Sequence, residues 1–137
     1  MGKTISVIGG DLRQATLARL LKEDGYQVKT IGFEKDIEFH EKYGAKSLKE
    51  VLDADVLVLP LPVSYDNEVV NAQFAEEEIY LKDILENMSH ETIILGGKIS
   101  EYIRGEIEVY GISYDDYFRR EEMQVENAIP TAFMILS

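Results

Sequence analysis

The chain has 137 residues, of which 45% are hydrophobic, and its 26 acidic and 14 basic side chains give a formal net charge of −12. This length suits one ordinary domain, and no stretch approaches the roughly 20 apolar residues that a membrane span needs. The negative charge argues against nucleic acid and membranes as partners, and the absence of cysteine excludes disulfides and sulfur-bound zinc.

The first 32 residues predict a strand, a helix and a second strand. Residues 4–9 are a β-branched run that ends in two glycines, and residues 27–32 are similar. Between them, leucines at positions 17, 20 and 21 form one apolar face of a helix that begins at Asp11 and ends before Gly25. Since no apolar leader precedes the first strand, we expect a cytoplasmic protein.

The same alternation continues along the chain. Further helices are predicted at 37–43, 48–52, 76–88, 99–103 and 117–125, and further strands at 56–59, 92–95 and 107–110. About five strands alternating with helices predict an α/β fold of three layers, doubly wound and Rossmann-like or flavodoxin-like, with a mostly parallel sheet. Ligands of such sheets bind beyond the carboxyl ends of the strands, which are here the turns at 9–11, 60–64 and 96–98.

The turn after the first strand does not match the dinucleotide fingerprint G-x-G-x-x-G. Gly9 stands at its first position, but Asp11 and Gln14 replace the second and third glycines. An aspartate there would block and repel a pyrophosphate, so we expect no cofactor on this chain. Asp11 and Gln14 instead resemble a helix capping box.

Arg13 is harder to explain as a structural residue. A cation in the first turn of a helix faces the positive end of the helix dipole, which is unfavourable. We therefore expect Arg13 to hold a substrate carboxylate, with a solvated surface arginine as the alternative.

Ser64 follows a strand end stiffened by prolines, where a hydroxyl can be held still for a ligand; the alternative is an ordinary turn serine. Lys98 is expected to be exposed, the two histidines to be structural, and the tyrosines at 110, 114 and 117 to pack in strands or core. No metal site and no catalytic residue is identified. The candidate substrate-binding residues are Gly10, Asp11, Arg13, Gln14, Val63, Ser64 and Gly97.

Taken together, these motifs resemble the N-terminal domain of the dipicolinate synthase A-subunit family. The matching segments are Ile8-Gly9-Gly10-Asp11 with Arg13-Gln14, Leu59-Pro60 with Pro62-Val63-Ser64, residues 74–81, Arg120-Glu121-Glu122, and Asn127-Ala128-Ile129-Pro130-Thr131. The resemblance implies an oxidoreductase that oxidises a dihydrodipicolinate-type intermediate to dipicolinate with NADP, in the mother cell of a sporulating bacterium. It also implies a second, NADP-binding domain and, as a protein partner, the B-subunit of dipicolinate synthase.

The resemblance predicts residues 1–131 as a Rossmann-like, substrate-side domain and 132–137 as the truncated start of a linker to an absent NADP-binding domain. By itself the chain is then expected to be inactive but to bind the dicarboxylate. The alternative function is a non-catalytic module for subunit interaction or dimerisation, using the apolar residues 132–136 and the acidic surface.

Overall fold

The structure is a computed structural model that describes residues 3–117. Strands and helices alternate in this range. In chain order they are β1 (Thr4–Ile8), α1 (Leu12–Glu23), β2 (Gln27–Ile31), α2 (Ile37–Tyr43), α3 (Leu48–Leu52), β3 (Val56–Val58), α4 (Leu81–Asn87), β4 (Ile93–Gly96), α5 (Glu101–Val109) and β5 (Tyr114–Asp116). Within these residues no helix has the length and apolar character to cross a membrane.

The five strands form one parallel sheet in the order β2-β1-β3-β4-β5. In the register of the sheet, Ile5 lies beside Val28 on one side and Val56 on the other. The chain moves outward in one direction from β1 to β2 and then returns to place β3 on the other side of β1. This reversal creates a crevice at the carboxyl ends of β1 and β3, which is where open α/β sheets bind ligands.

Helices cover both faces of the sheet, as the predicted three-layer fold requires. One core contains Ile5 and Val7 with side chains of α1 and α2, and the other contains Ile8 and Leu57 with side chains of α3, α4 and α5. β1 lies between both layers, so even its Ser6 is fully buried, and the hydroxyl donates to the carbonyl of Val51 at 2.5 Å.

The predicted strand at 107–110 is wrong, because residues 107–109 belong to α5. Ile103 and Ile107 are one helical turn apart and both are buried, whereas Val109 is exposed. The fifth strand is instead Tyr114–Asp116, which pairs with β4. Its sequence is polar because β5 is an edge strand with little apolar surface to bury.

The predicted helix at 76–88 begins only at Leu81, so the acidic run 76–78 is not a first helical turn. Residues 68–81 turn back on themselves instead, since the amide of Val70 donates to Ile79 and that of Leu81 donates to Glu68. These bonds occupy backbone groups that a longer helix would need. The predicted helix at 117–125 lies outside the described residues except for Tyr117, and the Asn127–Thr131 motif and the boundary at 131 lie wholly outside them.

Candidate functional site

A small cleft lies at the crevice between β1 and β3. Its walls come from the start of α1 and from the segment that follows β3, and its volume is about 10 Å³, room for about one water molecule. The lining residues are Asp11, Arg13, Gln14, Pro60, Leu61 and Tyr117. Three of the seven predicted site residues thus meet in one place.

Asp11 caps the first turn of α1, as predicted. Its carboxylate accepts a hydrogen bond from the backbone amide of Arg13 at 2.9 Å and lies 3.3 Å from the Arg13 guanidinium. Partial burial raises the pKa of Asp11, but the hydrogen bonds and the charge of Arg13 outweigh it, so the pKa is lowered overall. The other half of the predicted capping box is wrong, because the Gln14 side chain turns away from the cap into the protein.

Arg13 spans the cleft from α1 to the segment after β3. Its Nη2 atom is 3.3 Å from Asp11 and 3.4 Å from the carbonyl oxygen of Leu61. Within residues 3–117 its Nη1 atom has no protein partner. The side chain is 52% exposed and its contacts are long, so it can exchange these partners for an anion at little cost.

Tyr117 lines the cleft although the sequence did not predict it as a site residue. Its ring is buried, as predicted for a core aromatic, and its hydroxyl donates to the carbonyl of Leu59 at 3.2 Å. Burial raises the pKa of this phenol and the charge of Arg13 lowers it in part, so the phenol stays neutral. Gly97 allows this packing, because a Cβ there would meet Leu61 at 2.6 Å and Tyr117 at 3.0 Å.

The turn at Gly9 and Gly10 is covered by residues 70–79, which we call the covering segment. The Gly10 amide donates to the carbonyl of Asn71 at 2.7 Å, and a Cβ on Gly9 would lie 2.8 Å from that same oxygen. In a dinucleotide-binding domain the pyrophosphate approaches this turn. The residues present do not fit a dinucleotide here, since the chain's own backbone fills the space.

Glu34 holds the covering segment against the end of β2. Its carboxylate accepts hydrogen bonds from the amide of Gly32 at 2.9 Å and from the amide of Glu76 at 3.4 Å. Next to it, the amide of Lys35 donates to the carbonyl of Phe74 at 2.8 Å. The segment is therefore fixed by bonds at several points.

The other four predicted site residues have protein partners of their own. The Ser64 hydroxyl accepts from the amide of Asn67 at 3.0 Å and donates within its own loop, to the carbonyl of Val69 at 2.5 Å. Val63 is fully buried, and the amides of Gly10 and Gly97 bond to Asn71 and Pro60. A role for these four in binding stays a prediction, and it requires these bonds to be exchanged.

A larger cavity of about 520 Å³ lies between the end of β2 and the residues before α4. Five carboxylates and one lysine line it, namely Glu34, Glu76, Glu77, Glu78, Asp83 and Lys46. The net charge of this lining is negative, so it would repel a dianion. Of the two sites, the Arg13 cleft is the one suited to an anionic ligand.

A parallel sheet in the order β2-β1-β3-β4-β5, with helices on both faces and a crevice at the β1–β3 reversal, defines the doubly wound, Rossmann-like class of α/β domains, here in the flavodoxin-like strand order. Mycobacterium tuberculosis 3-hydroxyisobutyrate dehydrogenase shares the fold with a TM-score of 0.62, 18% identity and 83% of this chain covered, against 39% of its own. The family model of the N-terminal domain of the dipicolinate synthase A-subunit matches residues 4–118, and the chain belongs to this family.

Individual relatives agree with this assignment. The dipicolinate synthase A-subunit of Bacillus subtilis (strain 168) is 30% identical over 135 residues, which cover 95% of this chain and 45% of the relative. The crystal structure of the Bacillus subtilis protein gives a TM-score of 0.74 at 25% identity, covering 88% of this chain and 42% of that one. The A-subunit from Bacillus halodurans gives 0.71 at 18% identity, covering 89% and 42%. The chain thus spans less than half the length of these relatives.

Proposed function

We propose that this domain binds the dicarboxylate substrate of a dipicolinate synthase, which oxidises a dihydrodipicolinate-type intermediate to dipicolinate with NADP during sporulation. The observation that carries the proposal is the Arg13 guanidinium at the crevice between β1 and β3, whose Nη1 atom has no protein partner among the described residues. A guanidinium binds a carboxylate through charge-assisted hydrogen bonds.

The NADP belongs to a different part of the protein in this proposal. The covering segment fills the place beside Gly9 and Gly10 that a pyrophosphate would need. The relatives are more than twice as long as the stretch they share with this chain, which leaves room in them for a second domain. Our proposal is that such a domain carries the cofactor and packs against the carboxyl edge of this sheet.

The surface around the cleft suits such packing. Leu12, which lies between the cleft residues Asp11 and Arg13, is 63% exposed, so an apolar side chain beside the polar cleft is available for contact with another domain. The cleft itself is too small for a ring, so a ring dicarboxylate would lie across its mouth with its outer side against the second domain. The proposed protein partner is the synthase's B-subunit, in the cytoplasm of the mother cell.

A titration of the 137-residue chain with pyridine-2,6-dicarboxylate, followed by calorimetry, tests the proposal. We expect saturable binding that Arg13→Ala weakens about tenfold or more, as the loss of a hydrogen bond to a charged group predicts. Arg19→Ala is the matched control, because Arg19 lies on the same helix but bonds only to Thr16 within the described residues. NADP is expected not to bind. Equal affinities of the Arg13 and Arg19 variants would refute the assignment of this site.

A further inference from the structure

The side-chain amide of Gln14 is buried but only half satisfied. The residue is 2% exposed, its Nε2 atom donates to the carbonyl of Val58 at 3.5 Å, and its Oε1 atom has no partner within the described residues. The orientation of the amide follows from the chemistry, since the opposite orientation would set two oxygens against each other. A buried acceptor without a donor is unfavourable, so this oxygen is suited to a group that brings one.

Gln14 lines the same cleft as Arg13. The Arg13 guanidinium closes the cleft by reaching from Asp11 to the carbonyl of Leu61, through contacts of 3.3 and 3.4 Å. A carboxylate that draws the guanidinium off Leu61 opens the cleft toward Gln14. The two side chains are therefore placed to act in sequence on one ligand, Arg13 on its negative group and Gln14 on a donor close to that group.

We propose that Gln14 Oε1 accepts a hydrogen bond from a ring N–H of the dicarboxylate held by Arg13, which deepens the proposed function and rests on it. A partly reduced ring satisfies Gln14 in the tautomer that carries an N–H between the two carboxylates. The cyclic imine tautomer and an aromatic pyridine each present a lone pair at the same position, which leaves both acceptors without a donor. The site then prefers the N–H tautomer of the reduced ring to the aromatic ring, and this preference helps the oxidised product to leave.

Two planar dianions of similar shape and charge allow the effect of this hydrogen bond on affinity to be measured by itself. Pyrrole-2,5-dicarboxylate carries a ring N–H between its carboxylates, and furan-2,5-dicarboxylate has an oxygen in the same place with nearly the same shape and charge. We expect the chain to bind the pyrrole at least about tenfold more tightly than the furan, because only the pyrrole supplies the missing donor. Calorimetry with both ligands measures the ratio directly.

Gln14→Met keeps the volume of the side chain and removes the acceptor. In this variant the ratio between the two ligands is expected to fall to about one, while Arg13→Ala weakens both ligands alike. Equal binding of the two ligands by the unaltered chain, or a preference that survives in Gln14→Met, overturns the role of Gln14 but leaves the Arg13 site standing. If neither ligand binds, the proposed function fails and this inference fails with it.

Discussion

Replacing Gly9 by alanine measures how closely the covering segment lies on the first turn. Gly9 has φ of +65°, and a Cβ there would meet the backbone oxygen of Asn71 at 2.8 Å and the side chain of Ala72 at 3.0 Å. A backbone oxygen held by the Gly10 amide cannot move away as the end of a flexible side chain can. The substitution therefore adds a steric cost to the cost of the left-handed backbone.

Two other glycines separate these costs. Gly111 has a similar φ of +71° but open space around it, and Gly105 lies inside α5 with nothing within 4 Å. We expect Gly111→Ala to destabilise the fold by about 1–2 kcal/mol through the backbone alone. Gly105→Ala should stabilise it by about 0.5–1 kcal/mol, as alanine does in a helix. Overpacking adds about 1–3 kcal/mol, which gives Gly9→Ala a total of about 2–5 kcal/mol.

Urea unfolding followed by circular dichroism gives the free energy of unfolding for the three variants and the unaltered chain. The decisive quantity is the difference in the free energy of unfolding between the Gly9 and Gly111 variants, since the cost of the left-handed backbone is nearly the same in both. If Gly9→Ala is no less stable than Gly111→Ala, the covering segment does not lie on this turn. The space beside Gly9 and Gly10 would then be open to a pyrophosphate.

Three further changes probe the residues around the cleft. Gln14→Met should change the free energy of unfolding little, because the gain from removing a buried oxygen without a donor is set against the loss of the 3.5 Å hydrogen bond from Nε2 to Val58; a loss of more than about 3 kcal/mol in urea unfolding would mean that the oxygen has a partner as well. Glu34→Gln should cost about 1–2 kcal/mol, because the charged acceptor of two amides is lost, whereas the exposed control Glu41→Gln should change stability little. The pKa of Asp11 is lowered in the folded state, so its contribution to stability is present above the pKa of the unfolded chain and disappears as the pH falls through the folded value. Melting temperatures measured down to acidic pH should therefore fall less steeply in Asp11→Asn, and identical slopes would contradict the coupling to Arg13.

The sequence predicted best those strands whose apolar residue pattern also determines their packing in the core. β-Branched runs closed by glycine or proline predicted β1, β2, β3 and β4, because apolar side chains of these strands pack into or against the cores on both faces of the sheet. β5 was missed because its polar sequence, Tyr-Asp-Asp, carries no such pattern. Residues 76–80 were assigned to a helix because an acidic run suits a first turn, and the backbone hydrogen bonds of Val70 with Ile79 and of Leu81 with Glu68 show the turn that they form instead.

In the candidate site, too, some residues could be predicted from the sequence and others could not. Arg13 could be predicted because a cation at a helix start conflicts with the helix dipole, and this conflict is visible in the sequence. Tyr117 could not, since more than a hundred positions separate it from Asp11 and only the fold brings them together. The covering segment could not be predicted either, because its contact with Gly9 is made by a backbone oxygen, which every residue type carries.

The crevice between β1 and β3 has two parts with different uses. Toward β2, the carbonyl of Asn71 takes the hydrogen bond that a glycine amide would otherwise offer to a phosphate. Toward β3, the Nη1 atom of the half-exposed Arg13 and the Oε1 atom of the buried Gln14 have no partner within the described residues. In dinucleotide-binding domains the pyrophosphate uses the first part, whereas the proposed ring with a carboxylate beside an N–H needs only the second. The Asn71 contact that occupies the Gly10 amide therefore leaves the proposed dicarboxylate site intact.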